Sequence, residues 1–85
     1  MRKLTEHDIA TVVGTTNSGY TIIKARIKDG TFSDSDHYGF VLAKNATDNY
    51  VTWQFHLDDE VPNYYWGHYF SEDEKAALED YQVRE

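Results

Sequence analysis

The chain has 85 residues, enough for one domain spanning residues 1–85 with a small hydrophobic core. It has no cysteine, which excludes disulfides and thiolate metal sites, whereas 15% of its residues are aromatic. The formal net charge of −7 opposes nucleic-acid binding over most of the surface and favours basic partners, although it also serves solubility.

The first residues, "MRKLTEHD", carry basic side chains but lack the apolar run of a signal peptide. No stretch of the sequence has the apolar length of a membrane span. We therefore expect a cytoplasmic protein.

Residues 5–13 are compatible with either a helix or a strand. Thr5 suits the N-cap position and Gly14 suits the position after the last turn, while Ile9 and Val12 would share one helical face. The β-branched side chains of this stretch favour a strand instead. Of the two interpretations we favour the short helix.

Residues 15–19 predict a turn, and residues 20–28 then alternate as in a half-buried strand. The pair Asp29–Gly30 predicts a second turn, which a polar loop over residues 31–36 continues. Residues 37–44 alternate again and predict the second strand.

Residues 50–57 show the clearest strand pattern of the sequence. Residues 58–63 then predict an acidic loop, because Pro62 should interrupt a strand. Residues 64–70 predict a fourth strand, in which strict alternation places Tyr65 and Tyr69 on one side, opposite Trp66. The side of the third strand that we predict to face the core consists of Val51, Trp53, Phe55 and Leu57.

A C-terminal helix is predicted directly after the fourth strand. Ser71 and Glu74 match the S-x-x-E capping box, with Ser71 as the N-cap, and the helix should run to about Gln82. Its apolar stripe consists of Ala77, Leu78 and Tyr81.

Consecutive strands joined by short turns pair antiparallel. The sequence therefore predicts an α+β domain, a four-stranded antiparallel β-meander with a C-terminal helix packed on one face and a short N-terminal helix. Which face the C-terminal helix covers stays open, although the uniformly apolar side of Trp53 is the better core. The other side would be an open face suited to binding or to homodimerisation, formed by Tyr50, Thr52, Gln54, His56, Tyr65 and Tyr69.

Acidic side chains cluster in the loop before the fourth strand and on the C-terminal helix. Spaced carboxylates on a rigid scaffold can imitate a phosphate backbone and occupy the basic cleft of a nucleic-acid enzyme, although they can equally form a solvated surface. Together with two tyrosines of the open face they make up the predicted protein-binding residues: Asp58, Asp59, Glu60, Tyr65, Tyr69, Glu72, Asp73, Glu79 and Asp80.

Lys24, Arg26 and Lys28 form a basic row along the first predicted strand. Basic side chains beside aromatic rings on a sheet can bind nucleic acid, which gives an alternative function for the chain. The same side chains can also simply protect an edge strand from aggregation.

No pattern in the sequence predicts catalysis, a metal or a cofactor. His56 and His68 lie near the carboxylates of residues 58–60, but this spacing matches no defined ligand motif. The serines lie in predicted turns or at a helix cap, outside any nucleophile elbow. We therefore predict a non-enzymatic protein.

The segments "YVTWQF" and "YYWGHYFS", followed by an acidic helix, resemble small acidic proteins carried by phages and conjugative elements of Gram-positive bacteria. The resemblance spans about Tyr38 to Tyr81 and assigns no functional residue. It implies a mobile-element setting, in which small acidic proteins often bind and block host enzymes, as anti-CRISPR proteins do.

Composition and resemblance together lead to one expected function. We expect a mobile-element or phage accessory protein that binds and inhibits a basic host protein such as a nucleic-acid enzyme, in the manner of an anti-CRISPR protein or a DNA mimic. The alternatives are a nucleic-acid-binding accessory protein and a homodimerising interaction domain.

Overall fold

The computed structural model describes residues 2–28 and 37–85, so the predicted turn at Asp29–Gly30 and the loop over residues 31–36 lie outside the described residues. Each strand pairs antiparallel with the next in the order β1-β2-β3-β4-β5, which confirms the α+β class and the antiparallel meander. The elements in chain order are α1 (Glu6–Val12), β1 (Thr16–Asn17), β2 (Tyr20–Ile27), β3 (Gly39–Asn45), β4 (Tyr50–Asp58), β5 (Val61–Ser71) and α2 (Glu74–Val83).

The predicted number of strands is wrong, because residues 15–19 contain a short strand as well as a turn. Asn17 of β1 pairs with Tyr20 of β2, which leaves a two-residue loop of Ser18 and Gly19. Both loop residues have positive φ angles, 52° and 84°, as in the hairpin turns that match the twist of their strands. A two-residue strand carries too little alternation to be recognised in a sequence.

Residues 5–13 contain a helix, as predicted, and a capping box fixes its start. Thr5 Oγ1 accepts a hydrogen bond from the Asp8 backbone N–H at 3.2 Å, and the Asp8 carboxylate accepts one from the Thr5 N–H at 2.8 Å. Gly14 follows the C-cap with a φ of 93°, a conformation that costs glycine little. Val12 then anchors the helix in the core beside the sheet.

Both faces of the sheet are covered by a helix, so the predicted open face is wrong at its centre. The side of β4 that carries Trp53 is core, as favoured, but it packs with α1. α2 packs on the opposite side, where Tyr50 is 7% exposed and Thr52 is fully buried. The core cluster on the α2 side consists of Phe40, Leu42, Tyr50, Ala77 and Tyr81.

β5 begins three residues earlier than predicted. Val61 pairs with Asp58 across a tight hairpin, so residues 58–63 form no extended acidic loop. Pro62 is accommodated because β5 lies at the edge of the sheet. Its missing N–H can lie on the side that faces no other strand, so no hydrogen bond of the sheet is lost.

A β-bulge in β5 changes which side chains share a face. Tyr65 pairs with Gln54 and Tyr69 pairs with Val51. Between these two pairs β5 has one residue more than β4, and the extra residue lies at Trp66 and Gly67. Gln54 and Val51 lie on opposite sides of β4 because side chains alternate along a strand. Tyr65 therefore lies on the α2 side and Tyr69 on the α1 side, which makes their predicted common side wrong.

The cap of α2 lies two residues later than predicted. Asp73 is the N-cap, and its Oδ1 accepts a hydrogen bond from the Ala76 N–H at 3.0 Å. Ser71, the predicted cap, is the last residue of β5 and has a positive φ of 51°. Glu74 consequently makes no capping box and accepts a hydrogen bond from the Tyr50 hydroxyl at 2.9 Å.

Within the described ranges, neither helix combines the length and the apolar character that crossing a bilayer requires.

Candidate functional site

Trp66 is the most exposed aromatic side chain in the described part of the chain, at 70% exposure. It sits at the bulge with a positive φ of 55°, and its ring packs edge-to-face on Tyr65 with 4.9 Å between centroids. Strict alternation placed Trp66 away from the tyrosines, so the sequence prediction missed it. The available signal was Gly67, since a glycine inside a strand often marks a bulge.

A chain of hydrogen bonds connects Tyr65 to the β4–β5 hairpin. The Tyr65 hydroxyl accepts from Gln54 Nε2 at 3.1 Å and lies 3.2 Å from His56 Nδ1. His56 Nε2 in turn lies 3.2 Å from Asp58 Oδ2, which also accepts from Asn63 Nδ2 at 3.1 Å. The hydrogen bond with His56 lowers the pKa of Asp58, so this carboxylate stays ionised.

Trp66, Tyr65, His56 and Asp58 therefore form one contiguous surface, which we call the β5 patch. It offers an aromatic surface at one end and a carboxylate at the other. Exposed aromatic rings and desolvated polar groups are typical of protein-binding surfaces, and carboxylates next to rings suit the guanidinium and ammonium groups of a partner.

Arg2 holds the acidic hairpin residues next to the β5 patch. Its Nε donates to the Asp59 carbonyl at 2.7 Å and its Nη2 lies 3.2 Å from Glu60 Oε1. The same guanidinium forms a two-point ion pair with Asp8, at 2.7 and 2.8 Å, which lowers the pKa of Asp8 to about 2. The Glu60 side chain is nevertheless 86% exposed, so the hairpin presents negative charge to solvent.

The predicted acidic residues of α2 divide into two groups. Asp80 is largely buried, because it accepts a hydrogen bond from Thr52 Oγ1 at 2.5 Å and lies 3.0 Å from His68 Nδ1. Asp73 is used as the helix cap. Glu72, Asp73 and Glu79 are all exposed, so three of these four carboxylates lie at the surface.

Tyr69 is separated from the β5 patch by the thickness of the sheet. Its ring lies on the α1 side, 6.5 Å from the Tyr20 ring, and is 65% exposed. The contact joins β5 to β2 across two intervening strands, so the sheet is curled over this face. Tyr69 therefore does not extend the surface that Tyr65 forms.

The basic row is not a continuous cationic surface. Arg26 donates hydrogen bonds to four backbone carbonyls and stacks over the Phe40 ring at 4.8 Å, while Lys28 lies 5.5 Å over the Tyr38 ring. Lys24 is exposed. The carbonyls that Arg26 binds are those of Ile27, Lys28, Tyr81 and Arg84.

No cluster of three or more His, Asp or Glu side chains within residues 2–28 and 37–85 is arranged to hold a metal ion. His56 interacts with Asp58 and His68 with Asp80, so the two histidines belong to separate networks.

Comparisons with protein-family models, curated proteins and solved structures gave no match. The functional argument therefore rests on the β5 patch and its surroundings.

Proposed function

We propose that the chain is a non-enzymatic protein-binding module that engages a basic partner through the β5 patch. The observation that carries the proposal is the exposed Trp66 ring, joined through Tyr65 and His56 to a carboxylate of the β4–β5 hairpin. Trp is the residue type most often responsible for binding energy at protein interfaces, and neighbouring carboxylates select a basic partner.

The resemblance to small acidic proteins of phages and conjugative elements supports a biological setting for this binding. In that setting the chain is a cytoplasmic accessory protein that inhibits a basic host protein, such as a nucleic-acid enzyme. The net charge of −7 favours encounter with such a target. Glu72 and Glu79 would widen the acidic surface beyond the β5 patch.

The alternative function in nucleic-acid binding has less support. Its central residue, Arg26, directs its N–H groups at carbonyls of the chain itself, including the end of α2. Homodimerisation through the predicted open face also has less support, because Tyr50 and Thr52 are covered by α2.

The target can be identified by capture from a nuclease-treated lysate of a Gram-positive host, followed by mass spectrometry. The affinity of the recovered protein is then compared between Trp66→Ser and Val83→Ser. Val83 is an equally exposed apolar side chain on α2, at 72%, and serves as the matched control. We expect Trp66→Ser to weaken binding by about thirtyfold or more and Val83→Ser to leave it unchanged.

A second pair of variants tests the charge. Asp58→Asn with Glu60→Gln removes two charges at the hairpin, and Glu6→Gln with Glu85→Gln removes two exposed charges elsewhere. Binding should weaken about three- to tenfold for the hairpin pair alone. Equal losses of affinity for the two charge variants would mean that only net charge matters. Equal losses of affinity for Trp66→Ser and Val83→Ser would refute the β5 patch as the binding site.

A further inference from the structure

β5 is a long edge strand without charged residues of either sign. Among the described residues it pairs with β4 only, and its eleven residues include no Asp, Glu, Lys or Arg. Natural proteins usually protect such edges with charged side chains, especially Lys, because the unpaired N–H and C=O groups accept another strand. In β5, Pro62 and the bulges are the protective features, and the stretch Val61–Tyr65 keeps a regular register with β4.

Two accessible apolar side chains flank the centre of this edge. Val61 is 62% exposed at the start of the regular stretch, and Trp66 is 70% exposed at the bulge directly after its last residue. An incoming strand would bury both, in addition to pairing its backbone with the free edge.

The charges at the two ends of β5 indicate which occupant fits. Three consecutive carboxylates precede the strand, at residues 58–60, and three follow it, at residues 72–74. A second copy paired over the regular stretch would offer only residues of its own β5, which include no Lys or Arg, to the carboxylates of residues 58–60. An extended segment with Lys or Arg at the end that lies beside the hairpin would instead meet the opposite charge of residues 58–60.

We infer that the free edge of Val61–Tyr65 binds an extended, basic segment of a partner protein as an added strand of the sheet. Backbone hydrogen bonds to the edge supply affinity, Trp66 covers an apolar side chain of the segment, and the carboxylates of Asp59 and Glu60 select Lys or Arg beside it. This inference rests on the proposed function and specifies how the partner is bound.

The test uses short peptides with acetylated N-termini and amidated C-termini. Each peptide has Lys and Arg at both ends, and in its centre a β-branched residue alternates with Thr or Ser. Each is titrated into ¹⁵N-labelled protein up to about 1 mM while amide shifts and amide exchange are followed. Two control probes accompany every peptide. One carries N-methyl groups on alternate residues, which removes backbone donors along one edge, and the other replaces Lys and Arg by Glu.

We expect the basic peptides to slow exchange of the Tyr64 amide, the N–H within residues 61–65 that points away from β4, and each control probe to bind at least about tenfold more weakly. Trp66→Ser should weaken peptide binding, whereas Val83→Ser should not. Absence of protection at the Tyr64 amide with every basic peptide would overturn the inference, as would equal affinity for the N-methylated probes. A dimer in sedimentation with this amide protected in the absence of peptide would also overturn it, in favour of a second copy.

The outcomes that would refute the proposed function differ from those that would overturn the binding of an added strand. If the captured host protein loses affinity for Trp66→Ser but N-methylation has no effect on the peptides, the patch binds its partner without strand addition. If Trp66→Ser and Val83→Ser bind the captured protein equally, the proposed site itself is refuted.

Discussion

Single residues decide which surfaces β5 presents. Gly67 lies beside the Trp53 indole, and a Cβ at this position would come within 2.8 Å of Trp53 Nε1 and 2.9 Å of a Tyr69 ring carbon. Only glycine allows the bulged strand to approach the indole this closely. The exposure of Trp66 is therefore tied to the absence of a side chain at the next residue.

Gly67→Ala should destabilise the protein by about 1–3 kcal/mol, because the added methyl group overpacks the contact with Trp53. Urea denaturation measures the change. The control is a double-mutant cycle with Trp53→Phe, which lacks the pyrrole atoms that the methyl group would meet. The double variant should be more stable than the sum of the single losses predicts. Strict additivity would show that Gly67 is needed for another reason.

The sequence prediction failed at this scale wherever one residue departs from a regular backbone. Strict alternation is a good rule along β4, whose apolar side is core as predicted. It fails along β5, where the bulge at Trp66 and Gly67 places His68 and Tyr69 on the faces opposite to those that alternation predicts. Ser71 shows the same limit, because its match to a capping box is local and gives no information that β5 continues to this residue.

At the scale of elements, α2 is held to the sheet by polar contacts as much as by apolar burial. Arg26 from β2 binds the carbonyls at the C-terminal end of α2, where a cation also favours the helix dipole. Arg84 donates back to the Thr52 and Trp66 carbonyls of β4 and β5. The alternation of β2 predicted a basic side, but it could not indicate that one of its cations caps a helix that is distant in sequence.

Arg26→Met should therefore cost about 2–4 kcal/mol, because it leaves carbonyls at the end of α2 without their donor. Lys24→Met on the same strand is the matched control, since Lys24 is exposed, and its effect should stay within about 0.5 kcal/mol. Thermal and urea unfolding give both values. Similar losses for the two variants would contradict the capping role of Arg26.

The whole molecule combines an acidic surface with a few charges that are fixed by ion pairs. Composition and alternation were sufficient to predict the class of fold, the antiparallel sheet and both helices. They could not predict that each face of the sheet is covered by one helix, because the sequence pattern predicts surface positions for Tyr50 and Thr52, which are buried. Their burial is explained by Glu74 and Asp80, which supply hydrogen-bond partners from α2.

The pH dependence of stability should reveal the Arg2–Asp8 ion pair. The pKa of Asp8 is about 2 in the folded protein and 3.8 without its partners, so its stabilisation is present above the higher value and lost as pH falls through the lower one. Asp8→Asn should lower stability near about pH 7 by about 2 kcal/mol and flatten the profile between about pH 4 and 2. If the difference in unfolding free energy between variant and parent is constant between about pH 4 and 2, Asp8 is not the cause of the pH dependence.

The position of α2 at the far end of the described chain has a consequence for synthesis on the ribosome. The five strands of the described residues leave the ribosome before α2 does, and their hairpins can already pair. Until α2 arrives, Phe40, Leu42 and Tyr50 remain uncovered. A nascent chain that stops after Ser71 therefore carries an apolar sheet face together with an uncharged edge, and we expect such products to aggregate more readily than chains that include α2.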